Sequence, residues 1–128
     1  MTLQVELVSP EKILYSGDAD MVIARTTDGE IAFMTGHAPF IGSLGIGAVT
    51  IRASEGDDVV AAVHEGFVEV TDDRVTVLSD VAELVDDIDV TRAQKALDAL
   101  QQHKADQDDA EAEAALRRAR LRVDLARS

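Results

Sequence analysis

Few side chains in this sequence are equipped to start a reaction. Its 128 residues include three histidines, His37, His64 and His103, and no cysteine. Without a thiol there is no cysteine nucleophile, no disulfide framework and no thiolate zinc site. The patterns around the histidines place one in a turn, one on a strand and one near a helix end, which is not the spacing of a shared metal site. His64 and Glu65 are neighbours, but successive side chains of a strand face opposite ways, so they do not form an acid–base pair there. No Walker sequence and no nucleophile elbow occurs. Acidic residues are abundant, yet most fall in turns, where hydration accounts for them. The residues define no reaction.

Anion chemistry is better supplied. Arg117, Arg118, Arg120 and Arg122 crowd one segment. Arg118 and Arg122 are four apart and share a helical face, with Arg117 and Arg120 on the neighbouring flank. Grouped guanidiniums suit phosphate or carboxylate. A solvated face whose charges sit at the favourable end of the helix dipole accounts for them equally well. The junction Ile88-Asp89-Val90-Thr91-Arg92-Ala93 reads as a helix start, with Thr91 as the N-cap and an alanine face behind it. The stretch MTGHAPFIGSLGIGAVTIR, residues 34–52, has one histidine and no acid. It reads as a tight corner entering a strand that must bend.

Two kinds of element would position these groups. Residues 1–80 alternate apolar and polar positions in short runs, as in Leu3-Gln4-Val5-Glu6-Leu7. Punctuation at Ser9-Pro10, Asp28-Gly29, Gly36–Pro39, Glu55–Asp58 and Thr71–Arg74 divides the segment into about eight to ten strands of an antiparallel sandwich or barrel. Asp28-Gly29 is expected to form a type I′ hairpin turn with both residues at positive φ. Past the acidic patch 83–89 the period changes. Ala93, Ala96, Leu97 and Leu100 follow one helical face, and Ala112, Ala115, Leu116, Ala119, Val123 and Ala126 follow a second over residues 110–126. Residues 103–109 read as the turn between them. The expected division is a β-sandwich over 1–84 and a two-helix antiparallel hairpin over 85–128. Both helical stripes are alanine-rich and bury little apolar area, so the hairpin is expected to be marginal alone and able to detach.

Composition narrows the function. Apolar residues make up 46% of the chain and aromatics 3%, so the core is aliphatic. The net charge of −13 argues against nucleic-acid binding. It is unevenly spread: residues 1–90 carry 18 acids and four bases, residues 91–128 seven acids and eight bases. No apolar run is long enough to span a membrane, and the start MTLQVELVSPEK is not expected to act as a secretory signal.

Several blocks together resemble a known family. Gly29-Glu30-Ile31, Gly36-His37-Ala38-Pro39, Gly66-Phe67-Val68-Glu69-Val70 and Val75-Thr76-Val77-Leu78-Ser79-Asp80 are similar, in collinear order, to the epsilon subunits of bacterial and plastid F-type ATP synthases. The tail agrees, in Ile88-Asp89-x-x-Arg92-Ala93 and Ala115-Leu116-Arg117-Arg118-Ala119-Arg120. The resemblance implies a mainly β chain: an antiparallel β-sandwich of about ten strands followed by a helical hairpin. It implies a non-catalytic central-stalk subunit that binds the gamma subunit and the c-subunit ring. Such a subunit couples proton transport to ATP synthesis and restrains ATP hydrolysis through its helices. The implied place is peripheral, on the cytoplasmic face of the bacterial plasma membrane or the stromal thylakoid face of a plastid.

The resemblance also assigns residues. Gly29, Glu30, His37 and Pro39 are expected near the c ring. Ile88, Asp89, Arg92, Ala93, Arg118 and Arg122 correspond to a nucleotide site that holds ATP as a regulatory ligand in some bacterial members; no cofactor is required. Arg117, Arg118, Arg120 and Arg122 are expected to meet the catalytic alpha/beta head when the hairpin extends. The first helix carries Ala99 where that site would have an arginine, and loss of one charge-assisted contact weakens binding by roughly tenfold or more. A stand-alone nucleotide-sensing protein of similar fold is the alternative reading.

Overall fold

The computed structural model describes residues 2–103 and 110–127, the side chains of 102 and 103 excepted. The chain divides into two compact units, Met1–Leu84 and Val85–Ser128.

The first unit has seven strands: β1 (Leu3–Val8), β2 (Ile13–Thr26), β3 (Gly29–Phe33), β4 (Phe40–Ala53), β5 (Val59–Thr71), β6 (Arg74–Leu78) and β7 (Ala82–Leu84). They pair in the order β1-β6-β5-β4-β2-β3, with β7 on β5, and β1 also pairs with β2. Five strands thus close on themselves as a flattened barrel, leaving β3 and β7 as edges. The β1–β6 pair is parallel; the other pairs are antiparallel.

Seven strands replace the larger number read from the sequence because β2, β4 and β5 are long and change partners along their length. β2 pairs with β1 over Ile13–Ala19, then with β4 after an irregularity between Ala19 and Met21. β5 pairs with β7 over Ala61–Val63 and with β6 over Phe67–Thr71. A bulge moves the side-chain phase to the other face, so a continuous strand looks broken to a period-two reading.

Alternation delivers the core. Leu3, Val5, Leu7, Val22, Phe33, Ile51, Val68, Val70, Val75 and Val77 are fully or almost fully buried in one cluster. Every buried member of that cluster lies between Leu3 and Val77. We therefore expect a fragment of residues 1–84 to fold unaided and to show one cooperative β-type thermal transition by far-UV circular dichroism. A fragment melting without cooperativity would make the helices part of that core.

One turn differs from expectation in its geometry. Between β2 and β3 the loop residues are Thr27 and Asp28, and Asp28 is not at positive φ. The Thr26 hydroxyl closes this turn, accepting from the Asp28 amide at 3.2 Å and donating to the Gly29 carbonyl at 2.8 Å. The two-residue turn with both φ positive is Asp72-Asp73, at 48° and 60°, between β5 and β6. Aspartate tolerates that conformation better than most residues.

The second unit has a 3-10 turn (Val85–Asp87), helix α1 (Val90–His103) and helix α2 (Ala110–Ala126). Its seam is Ala93, Leu97, Leu116, Ala119 and Val123, with Ile88 and Leu100 packed against it. Asp89, not Thr91, caps α1: its Oδ1 accepts from the Arg92 amide at 3.1 Å. The helix starts at Val90, two residues before the start that a Thr91 cap implies, which puts the Asp89 carboxylate three residues before an orphan amide. His103 belongs to α1, and the remainder of the expected turn, 104–109, lies outside the described residues.

Candidate functional site

Most buried polar groups in the first unit hold its own structure together. The His64 imidazole on β5 is buried, with Nε2 3.3 Å from Oε1 of Glu83 on β7. The buried Ser79 hydroxyl lies 2.6 Å from the Glu65 carbonyl and 2.9 Å from that of Val81. Glu65 stands at φ 67° and Gly66 at φ 151° where β5 changes partner. A Cβ on Gly66 would run into the Leu78 carbonyl and stand 2.9 Å from the Ser79 Cα. Only glycine lets these two stretches of backbone approach so closely.

The Gly-His-Ala-Pro segment is a built corner. Gly36 is at φ 86°, and its amide donates to Oδ1 of Asp73 at 2.7 Å. The Asp72-Asp73 turn thereby fastens the corner to the β5–β6 end of the barrel. The His37 ring stands edge-on to Phe33 at 5.0 Å between centroids and to Phe40 at 6.2 Å. Its Nδ1 is 2.7 Å from the Ala38 carbonyl. A carbonyl only accepts, so Nδ1 carries the hydrogen in that contact. Pro39 is exposed beside it, whereas Gly29 and Glu30 begin β3, whose other end leads into the corner. The two groups expected near the c ring therefore sit at opposite ends of a five-residue strand.

The outer face of the barrel carries a surface that sequence reading passed over. Registry places Ser43 opposite Phe67, Phe67 opposite Leu78, Leu78 opposite Val8 and Val8 opposite Ile13. Directly paired residues share a face, so these five form one row across β4, β5, β6, β1 and β2. Ile41, two residues before Ser43 on β4, borders it. Phe67 is 58% exposed, Leu78 48%, Ile13 62% and Ile41 74%. The next row runs Ile41, Glu69, Thr76, Glu6 and Ser16 and is polar apart from Ile41. The four apolar members of the first row, Phe67, Leu78, Val8 and Ile13, lie on adjacent strands about 4.8 Å apart and span roughly 14 Å. A signal was available in the sequence: Val68 and Val70 point inward, so alternation alone puts Phe67 outside.

In the second unit the expected nucleotide residues divide by job. Ile88 and Ala93 are absorbed by the helix seam. Asp89 spends a carboxylate oxygen on the α1 cap. Arg92 is exposed. Arg118 and Arg122 are half-buried along the seam, whereas Arg117 and Arg120 are exposed. Arg117 is four residues after Glu113 and Arg120 four before Asp124, so the exposed face alternates in charge. The last turn of α2 contains no base. The arginines occupy the middle of the helix, and the dipole reading of their placement does not hold.

Among the described residues no group of three or more His, Cys, Asp or Glu is placed to hold a metal ion, and no helix is long and apolar enough to cross a membrane. What the fold displays is a closed β-domain with an apolar face, a fastened corner and a helical hairpin rich in arginine. These are the attributes of a subunit built for assembly.

The pattern of the ATP synthase delta/epsilon chain β-sandwich domain matches residues 2–85. The chain is similar to the ATP synthase epsilon chains of Thermobifida fusca, 45% identical with 98% of this chain and 93% of that one covered, and Halalkalibacterium halodurans, 44% with 98% and 97%. It is also 50% identical to that of Streptomyces griseus, over 81% of this chain and 90% of the relative. It belongs to the ATP synthase delta/epsilon chain family, and these relatives are epsilon chains. The fold is similar to a chain in the cryo-EM structure of the Euglena gracilis mitochondrial ATP synthase, with TM-score 0.81, 21% identity and 93% and 78% of the two chains covered. It is likewise similar to one in the central stalk and c-ring structure of the Tetrahymena thermophila enzyme, at 0.64, 18%, 98% and 97%.

Proposed function

We propose that this chain is a non-catalytic rotor subunit of an F-type ATP synthase, peripheral to the membrane on the cytoplasmic face of a bacterial cell. The observation that carries the reading is the apolar row around Phe67 on an otherwise acidic domain of the delta/epsilon family. Exposed apolar rows bordered by polar residues mark protein interfaces. In this reading the row seats the gamma subunit, and the corner at His37 and Pro39, with the Gly29-Glu30 end of β3, faces the c ring. The chain performs no chemistry: His37 and Ser79 are engaged by backbone carbonyls, and His64 by Glu83. Proton transport is coupled to ATP synthesis through rotation of the stalk to which it is bound.

The hairpin is the restraining part. Arg118 and Arg122 offer guanidiniums to an anion, either the phosphates of ATP in one state or acidic surface of the catalytic head in another. A ligand of one state shifts the balance only by its preference for that state. The test is ATP hydrolysis by the enzyme reassembled with the whole chain, with residues 1–84 only, and with Arg118 and Arg122 both changed to Ala. Hydrolysis should be lowest with the whole chain and higher with either alteration, and the remaining inhibition should depend less on salt. Equal hydrolysis in all three would remove the hairpin from any restraining role.

A further inference from the structure

We propose that Glu111 is a built-in competitor for the Arg118 guanidinium, so that the anion site on α2 is masked by the protein's own carboxylate. This rests on the reading of Arg118 as an anion-binding residue and adds its regulation. Nη2 of Arg118 donates to Oε1 of Glu111 at 2.9 Å, with the arginine side chain 27% exposed and the glutamate 82%. Seven residues are two helical turns, so both groups lie on one face with about 10.5 Å of rise between their backbones. Helical side chains lean toward the N-terminus, which sends the long arginine back along the helix toward the acid. Glu111 lies in the first turn of α2, where the helix dipole favours a carboxylate. The acid is held where it stands, and the arginine reaches to it.

A phosphate oxygen would need the same donors. A triphosphate arriving at Arg118 and Arg122 must displace Glu111 from one of them and tolerate its charge nearby. The pair is exposed on the acid's side, so the mask is weak and an exchange is feasible. Removing it should tighten phosphate binding by about two- to fivefold, the worth of an exposed ion pair. The consequence is a site graded by the charge on one glutamate, displaced only when the anion is concentrated.

The experiment titrates the full chain with ATP and, in a second arm, with inorganic tripolyphosphate, by calorimetry and by the NMR signal of the Arg118 Nε. Glu111→Gln should bind two- to fivefold tighter than wild type, and Arg118→Ala should lose that gain. Glu113→Gln removes the same charge without touching the pair and should leave affinity near wild type. Glu111→Asp keeps the dipole-favoured charge, withdraws the carboxylate from Arg118 and should shift affinity the same way as Gln, which guards against a helix weakened by Gln. Equal gain in both arms identifies the phosphate chain as the recognised group; a gain with ATP alone shows the nucleoside to be required, and either supports the mask. If wild type binds and Glu111→Gln binds no tighter, the mask is overturned while the site stands. If Glu113→Gln gains as much, only net charge acts and the proposal fails. If neither anion binds any variant, the anion site itself is wrong, and the mask falls with it.

Discussion

Gly66→Ala is expected to lower the unfolding midpoint of the chain by at least about 10 °C or to prevent folding, a loss of several kcal/mol spread over a domain of this size. The cause is twofold. Gly66 stands at φ 151°, where a side chain is strained, and an added methyl would meet the Leu78 carbonyl and the Ser79 backbone. Neither obstacle is the end of a flexible side chain. Both belong to the segment that Ser79 fastens to the Glu65 and Val81 carbonyls, so the clash cannot relax without opening the place where β5 passes from β7 to β6. Gly45→Ala is the control, since nothing stands within 4 Å of its added Cβ, and it should melt close to wild type. Far-UV circular dichroism with temperature measures both. A Gly66→Ala midpoint within two or three degrees of wild type would mean that this junction adjusts freely.

The second large effect concerns assembly. Phe67→Thr keeps a β-branched residue on the strand and removes a ring that is 58% exposed, so the isolated chain should remain folded. Binding to the gamma subunit, under the function proposed above, should weaken by roughly thirtyfold or more, as for a central aromatic at an interface. Phe67 has Leu78 directly opposite on β6 and Ile41 diagonally across on β4, beside Ser43, which puts the ring between two exposed apolar side chains. Glu55→Gln, an exposed position in the loop between β4 and β5, should change nothing. The measurement is the fraction of chain retained by stripped and reassembled membranes. Retention of Phe67→Thr at the wild-type level would remove the row from the interface.

The order of elements, the sheet-forming character of the first 80 residues and the α2 helix were all legible without coordinates. The reason is that side-chain periodicity is a local property. Leu3, Val5 and Leu7 each declare their face through their immediate neighbours, and so do Leu116, Ala119 and Val123. The shared motifs also pointed to the family, and two of them mark places where backbone geometry restricts the residue: Gly66 at its close approach and Gly36 at its corner. Tertiary structure alone decided which strands adjoin. No neighbour of Leu3 announces that β1 will lie between β2 and β6, since that closure depends on residues more than 60 positions away. It decided that β2 and β5 are each continuous, because a bulge disguises continuity as an ending. It moved the α1 cap from Thr91 to Asp89, because a 3-10 turn shifted the first free amides. It also gathered Val8, Ile13, Leu78 and Phe67 into one row and brought Arg118 to Glu111. A surface is defined by what lies across from a residue, and sequence records only what lies beside it.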